Sequence, residues 1–210
     1  MLRGDAQHDC GRAAIPADNA EMISIVPYNP EWPSRFDRLA KPVRMALGDL
    51  AIRIDHIGST AIPGLAAKDL IDIQITAVSL DPAIEAALGR AGFTRREHIT
   101  NDHIPPGGPD DLAEWTKWFF RPIATEVAVN LHVRLLGRAN QRYPILFRDY
   151  LRNHPTVAEA YGQVKTALVA HRMDDLDAYY DVKDPVCDII MFSAETWAAS
   201  TGWTQGPSDA

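Results

Sequence analysis

A glycine–serine loop followed by a strand with an isolated carboxylate is the part of this sequence best suited to chemistry. Gly58 lets the backbone approach a ligand because it has no Cβ, and Ser59 adds a hydroxyl and an N–H group. Asp72 follows Ser59 by 13 positions and interrupts an apolar run, where an unpartnered carboxylate would be costly. The spacing predicts a phosphate-binding loop facing a carboxylate that holds a divalent cation such as Mg²⁺.

Basic and imidazole side chains elsewhere in the chain could complete such a site. Lys68 precedes the second strand, where a short turn would bring its ammonium group back over the loop. His132 and Arg134 share one face of a later strand by its two-residue period. Arg148 lies on a predicted helix that meets the sheet. We expect the three cations to contact phosphates, and His132 to act as a general base beside Asp72.

Structural roles compete with each of these assignments. A tight turn would also explain Gly58 and Ser59, and a solvated side chain would explain Lys68. His132 could be a histidine whose hydrogen bonds are satisfied within the core. These alternatives stay open from the residues alone.

Apolar periodicity and turn residues place the motif on a mixed sheet. The result is an α+β (mixed) fold, with a β-sheet covered by helices and a C-terminal helical segment. Strands are expected at 22–26, 51–57, 69–78, 115–121 and 126–135. Helices are expected at 32–47, 82–88, 145–153, 156–171 and 185–199, the last with Asp184 as its N-cap.

The motif and several distant segments resemble one known family. The sequence HIGSTAIPGLAAKDLIDI, from His56 to Ile73, is similar to the glycine–serine and aspartate signature of the nucleotidyltransferase superfamily. In its detail it resembles the GrpB family within that superfamily. Segments at 26–36, 130–133 and 146–165 also resemble this family, so the resemblance covers roughly residues 22 to 197.

The resemblance implies a nucleotidyltransferase-like fold and a magnesium-dependent reaction. A nucleoside triphosphate would bind through Gly58 and Ser59, with Asp72 as the metal ligand. A nucleotidyl group would pass to a small acceptor that the family does not identify. The expected partners are therefore the nucleotide and this small molecule, with Mg²⁺ as the cofactor.

One position departs from the superfamily pattern. Active members usually place two carboxylates two positions apart on one strand, but the second position here is Gln74, which carries no charge. The strand expected to supply a third carboxylate offers Asn130 and His132 instead. A non-catalytic nucleotide- or phosphometabolite-binding module with a degenerate metal site is therefore the alternative. A structural interaction domain is a third.

Charge argues against a general nucleic-acid binder. The formal net charge of −7 disfavours binding to a polyanionic backbone. Between positions 117 and 172, however, nine Lys and Arg residues accompany three Asp and Glu residues. Such a surplus can focus a field into one cleft, which suits a small polyanion, although solvated helix faces would explain it too.

Length and cysteine content predict a single cytoplasmic domain. A chain of 210 residues with 46% hydrophobic residues can bury one sizeable core. Cys10 and Cys187 are too far apart in sequence to indicate a disulfide framework, and no apolar stretch reaches the ~20 residues needed to span a bilayer. We expect a disordered extension at 1–21, the domain at 22–200 and a tail at 201–210. The oligomeric state stays open.

Overall fold

The computed structural model describes residues 24–124, 126, 128–171 and 176–210. The expected disordered extension, 1–21, lies outside these ranges. Residues 22 and 23, at the start of the expected first strand 22–26, also lie outside the described ranges. The last residue of that strand, Val26, forms an isolated antiparallel bridge with Ala67.

Five strands form one mixed sheet in the order β1-β2-β5-β4-β3. The β2 strand pairs in parallel with β5, and every other neighbouring pair is antiparallel. The expected mixed sheet is thus confirmed. Its strands are β1 (Arg53–Ile57), β2 (Ile71–Ala77), β3 (Phe93–Arg95), β4 (Lys117–Pro122) and β5 (Val129–Leu135).

The β3 strand, Phe93–Arg95, lies outside the strands that the sequence predicts. It occupies the edge of the sheet and pairs with β4. Three residues are too few for an alternating pattern to be recognised. Pairing with β4 therefore determines this strand more than its own sequence does.

Five α-helices cover the sheet and form the C-terminal part. Their bounds are α1 (Trp32–Leu47), α2 (Pro82–Arg90), α3 (Ala139–Asn153), α4 (Pro155–Ala170) and α5 (Leu176–Thr201). The α1 helix has the expected bounds. The α2 helix begins as expected, because the Asp81 side chain accepts a hydrogen bond of 2.7 Å from Ala83 N–H.

Two helices, α3 and α5, begin at least six residues earlier than expected, and in both a proline lies within the helix. The α3 helix starts at Ala139 and contains Pro144, and α5 starts at Leu176 and contains Pro185. Asp184 is therefore not an N-cap. Proline is favoured in the first turn of a helix, but a helix can also contain one in its interior at the cost of one backbone hydrogen bond. A proline therefore does not reliably mark where a helix begins. Packing among α3, α4 and α5 around a shared apolar cluster stabilises the longer helices.

The strict alternation of β2 separates an apolar core from a polar face. Ile71, Ile73 and Ile75 are fully buried in a cluster with α1 and α2. Asp72 and Gln74 point to the opposite face. The α1 helix meets this core with apolar residues spaced three or four apart, which are Trp32, Phe36, Ala40, Val43 and Leu47.

The C-terminal tail runs back along the free edge of β1. The backbone N–H of Ile54 donates to Ser208 Oγ at 2.8 Å, and that of His56 donates to Asp209 Oδ2 at 2.9 Å. Ala210 N–H donates to Ile54 O at 3.1 Å. The tail expected from the sequence at 201–210 thus covers this edge of the sheet.

Among the described residues, none of the helices is both long enough and apolar enough to cross a membrane.

Replacing Ile75 by Ala should lower the free energy of unfolding by about 2–5 kcal/mol, because it leaves a cavity in the core. Ile75 is fully buried in β2. The matched variant Ile189→Ala removes the same atoms from a side chain on α5 that is 70% exposed, and should change stability by less than ~0.5 kcal/mol. Urea denaturation followed by circular dichroism measures both. Equal losses in the two variants would contradict the burial of β2.

Candidate functional site

The loop between β1 and β2 begins with a glycine that no other residue could replace without strain. Gly58 has a φ of +72°, and a Cβ at this position would lie 2.6 Å from Asp72 Oδ2. The loop then forms a single 3₁₀ turn, Ser59–Ala61, closed by a hydrogen bond from Ala61 N–H to Gly58 O. The glycine therefore sets the close approach between the loop and the carboxylate of β2.

Asp72 is held ionised by neighbours on the adjacent strand. Its Oδ1 accepts a hydrogen bond of 2.9 Å from Asn130 Nδ2 and lies 3.5 Å from His132 Nε2. Burial opposes ionisation, but these hydrogen bonds outweigh it, and the pKa of Asp72 lies below its usual value. The side chain remains 25% exposed. A negative carboxylate is thus presented beside the loop.

His132 is a neutral imidazole whose two nitrogens are both engaged. Nδ1 lies 3.4 Å from Arg134 Nη2, and because a guanidinium can only donate, Nδ1 must accept. The proton is then on Nε2, directed at Asp72. Burial, with a smaller contribution from Arg134, lowers the pKa of His132 to about 4. His132 thus positions Asp72 in this arrangement, and its role as a general base stays a prediction.

Gln74 is sealed within the polar face of the sheet. Its Oε1 accepts a hydrogen bond of 2.7 Å from Arg134 Nη1, and its Nε2 donates one of 2.8 Å to Gln141 O on α3. The residue is fully buried. Its amide oxygen is therefore committed to Arg134 and unavailable to a metal ion.

Asp102 is a site residue that sequence reasoning missed. It lies in the loop between β3 and β4, and accepts hydrogen bonds from Arg134 (2.8 and 2.9 Å), Lys117 (2.6 Å) and Asn140 (3.1 Å). Burial opposes its charge, but Arg134 and Lys117 hold its pKa well below the usual range. Arg134, an expected phosphate ligand, is thus largely neutralised. The sequence signal was limited to a polar loop that could cover the site.

Lys165, which was also missed as a site residue, reaches the loop from α4. Its Nζ lies 2.8 Å from Ser59 Oγ and 2.6 Å from Ala66 O. It also lies 4.6 Å from the centre of the Tyr161 ring. Burial lowers the pKa of Lys165 to about 7. The family resemblance at this tyrosine and lysine was the available sequence signal.

Lys68 approaches the same region from the segment before β2, as expected. Its Nζ lies 4.9 Å from the ring centre of Tyr179 and 5.2 Å from that of Tyr180, both on α5. Lys183, one turn along α5, lies 5.7 Å from the Tyr180 ring. The helices therefore contribute lysines and tyrosines to one wall.

A cavity of about 520 Å³, within the range of small-molecule sites, is lined by the loop, by Asp72, Asp102 and His132, and by the lysines and tyrosines described above. Its sheet wall comes from β2, β4 and β5, and its helix wall comes from α3, α4 and α5. The expected site residues that it brings together are Gly58, Ser59, Lys68, Asp72, His132 and Arg134.

Arg148, expected to contact phosphate, lies outside the cavity lining. Its guanidinium donates to His56 O at 3.0 Å, to Asp209 at 2.7 Å and to Asp149 at 2.8 Å. The side chain is 4% exposed. Arg148 therefore joins α3, β1 and the C-terminal tail. No pattern in the sequence indicates that the tail covers this helix face.

The donor set fits at most one divalent cation. Within the ranges that the structure describes, no three His, Cys, Asp or Glu side chains are grouped as metal ligands. Asp102 is neutralised by cations and Gln74 is engaged, so neither completes a cluster with Asp72. One carboxylate suffices for Mg²⁺ when substrate phosphates and waters supply the other ligands. A two-metal cluster does not fit.

The sheet, the loop and the cavity define an α+β protein with a charged ligand-sized cavity at the junction of sheet and helices. The family described as GrpB protein matches residues 22–192, and the chain belongs to this family. A crystal structure of GrpB from Enterococcus faecalis shares the fold, with a TM-score of 0.67 and 23% identity over 83% of this chain and 99% of that one.

Curated relatives carry two kinds of name. A protein named dephospho-CoA kinase, from Mycolicibacterium paratuberculosis, is 38% identical over an alignment of 196 residues that covers 86% of this chain and 48% of that protein. This chain thus spans about half the length of such relatives. A UPF0157 protein of Halalkalibacterium halodurans is 34% identical over 175 residues, covering 80% of each chain.

Gly58→Ala should destabilise the fold by at least about 1 kcal/mol more than Gly64→Ala, because only the first adds a collision to backbone strain. Both glycines have positive φ, but a Cβ at Gly64 would meet nothing within 4 Å, whereas one at Gly58 meets Asp72. Thermal and urea denaturation of the two variants measure the difference. Equal stabilities would show that the loop and Asp72 are not in close contact.

Proposed function

We propose that this protein binds a nucleoside triphosphate in the cavity, mainly through its phosphates. The observation that carries the proposal is the charge of the lining. Its described residues include six Lys and Arg side chains but three Asp side chains. A cavity of one dominant sign concentrates ligands of the opposite sign.

The two walls of the cavity differ in how far their charges are compensated. On the sheet wall, Asp102 forms ion pairs with both Arg134 and Lys117, and His132 is uncharged. On the helix wall, no carboxylate of the described residues is among the groups that shift the pKa of Lys165. The phosphates therefore bind between the glycine–serine loop and the helix wall. Lys68 and Lys165 are the principal cations, because Lys183 Nζ already lies 3.5 Å from Asp184 Oδ1.

The similar proteins support a ligand of this class. Several relatives are named dephospho-CoA kinase, which points to nucleotide-related chemistry, although this chain covers about half of their length. The motif from Gly58 to Asp72 resembles that of nucleotidyltransferases, which also favours a nucleotide. Tyrosine rings on α5 offer surfaces for the less polar part of such a ligand.

Magnesium-dependent nucleotidyl transfer to a small acceptor is the second candidate, favoured by the ionised Asp72 beside the loop. Asp72 would hold the ion together with the bound phosphates, and Asn130 and His132 fix its carboxylate. When bound, Mg²⁺ would offset negative charge on the phosphates and on the leaving pyrophosphate. Lys68 and Arg134 belong to the lining around this carboxylate.

Lys165→Met should weaken ATP binding by roughly tenfold, about 1.4 kcal/mol, because it removes a charge that no carboxylate in the described part of the chain compensates. Isothermal titration calorimetry measures this. The matched control is Lys41→Met, an exposed lysine on α1, which should bind as the wild type does. ATP and GTP should bind similarly, and inorganic triphosphate should compete. No ATP binding by the wild type, or no competition by triphosphate, would overturn the proposal.

Asp72→Asn should abolish the part of ATP affinity that depends on Mg²⁺ and leave metal-free binding unchanged or tighter, because an amide keeps the shape but removes the charge. Calorimetry with and without Mg²⁺ separates the magnesium-dependent part of ATP affinity from the metal-free part. Asp49→Asn, an exposed position after α1, is the control. A transfer assay with α-labelled ATP tests catalysis. Unchanged magnesium dependence in Asp72→Asn would remove Asp72 from the metal site and leave metal-free binding as the function.

A further inference from the structure

Ser59 and Lys165 form a contact that phosphate binding alone does not require. Nζ of Lys165 lies 2.8 Å from Ser59 Oγ and 2.6 Å from Ala66 O. Lys165 is only 2% exposed, and Ser59 is partly exposed in the cavity lining. A hydroxyl that a ligand can reach is thus hydrogen-bonded to an amine shielded from water.

The geometry accommodates both protonation states of Lys165. As an ammonium group, Nζ donates to Ser59 Oγ and to Ala66 O. As a neutral amine, it can keep the donation to Ala66 O, while its lone pair accepts the hydrogen of Ser59 Oγ–H. In the second state the lysine is oriented to remove the serine proton.

The surroundings of Lys165 favour the neutral amine more than bulk water does. Burial is the largest effect, and Lys183 on α5 and Lys68 before β2 act in the same direction. Cys187 on α5 opposes them, and the Tyr161 ring of α4 contacts the ammonium form. The resulting pKa of about 7 leaves a large neutral fraction at physiological pH.

The adjacent hydroxyl shows that this environment is particular to Ser59. Thr60 Oγ1 donates to Leu70 O at 3.1 Å and lies 3.0 Å from His56 Nε2. Thr60 is also 2% exposed. Its hydroxyl is engaged with groups of the core, whereas Ser59 has a basic partner and belongs to the cavity lining.

We propose that Ser59 is a nucleophile toward phosphorus electrophiles, of which phosphoanhydrides are the biological class, and that Lys165 is its general base. The bond from Oγ to phosphorus forms as the phosphoanhydride bond breaks. The leaving phosphate takes the electron pair, and the hydroxyl proton moves to Nζ. The choice of a phosphoanhydride rests on the proposed function, but the nucleophile and base do not.

The test uses diisopropyl fluorophosphate, a phosphorus electrophile with no nucleotide part. Oγ bonds to phosphorus, fluoride leaves, and the proton passes to Lys165. Peptide mass spectrometry should find the adduct on Ser59 in the wild-type protein. The labelling rate should rise with pH through about 7 and then level off, because deprotonation of Lys165 creates the base. ATP binding, measured separately, reports on the proposed function whether or not the adduct forms.

Lys165→Met should slow labelling at least tenfold, and Ser59→Ala should abolish it. The controls Lys41→Met on α1 and Ser193→Ala on α5 change exposed residues of the same types and should label at the wild-type rate. If Lys165→Met fails to fold, Lys165→Arg retains the charge without a usable base and should be equally slow. The proposal is overturned by no adduct on Ser59, by a rate independent of pH, or by normal labelling without Lys165.

Discussion

The parallel register between β2 and β5 is the constraint on which the site depends. It sets Asp72 opposite Asn130 and Gln74 opposite His132. Asn130 and His132 then supply hydrogen bonds to Asp72, and Arg134 reaches Gln74 from the next position on the same face. A slip of one residue would turn the polar side chains of one strand into the apolar core. Burial of the isoleucines on β2 therefore also maintains the geometry of the carboxylate.

The polar network on the sheet wall leaves few groups free to change partners. Arg134 joins Asp102 and Gln74, and Gln74 continues to the backbone of α3 through Gln141. A buried network is rigid where its members are satisfied, as Arg134, Asp102 and Gln74 are. The buried amide oxygens of Asn130 and Asn140 are without a hydrogen-bond partner among the described residues. The helix wall is different, because Lys165 has hydrogen-bond acceptors but, within the ranges that the structure describes, no carboxylate among the groups that shift its pKa. Rigidity and unbalanced charge thus lie on opposite sides of one cavity.

The local sequence pattern predicted the fold class, most helices and strands, and the part of the site that lies on the glycine–serine loop and β2. Ser59 and Asp72 lie on one strand–turn–strand path, so their spacing places them together. Lys165 meets Ser59 from 106 positions along the chain, and Asp102 belongs to a loop without periodicity, so no spacing reports either contact. The placement of Arg148 outside the cavity was not predictable for a related reason. Helical periodicity gives the face on which it lies but not the segment that covers that face.

The C-terminal tail has a further consequence for how these chains meet one another. Exposed strand edges are templates on which another chain can pair and aggregate. Here Ser208, Asp209 and Ala210 occupy backbone groups of β1, and the opposite edge is β3, which is only three residues long. Both edges are therefore poor templates. At high concentration the chains should resist strand-to-strand association, so that self-assembly would have to use helix surfaces.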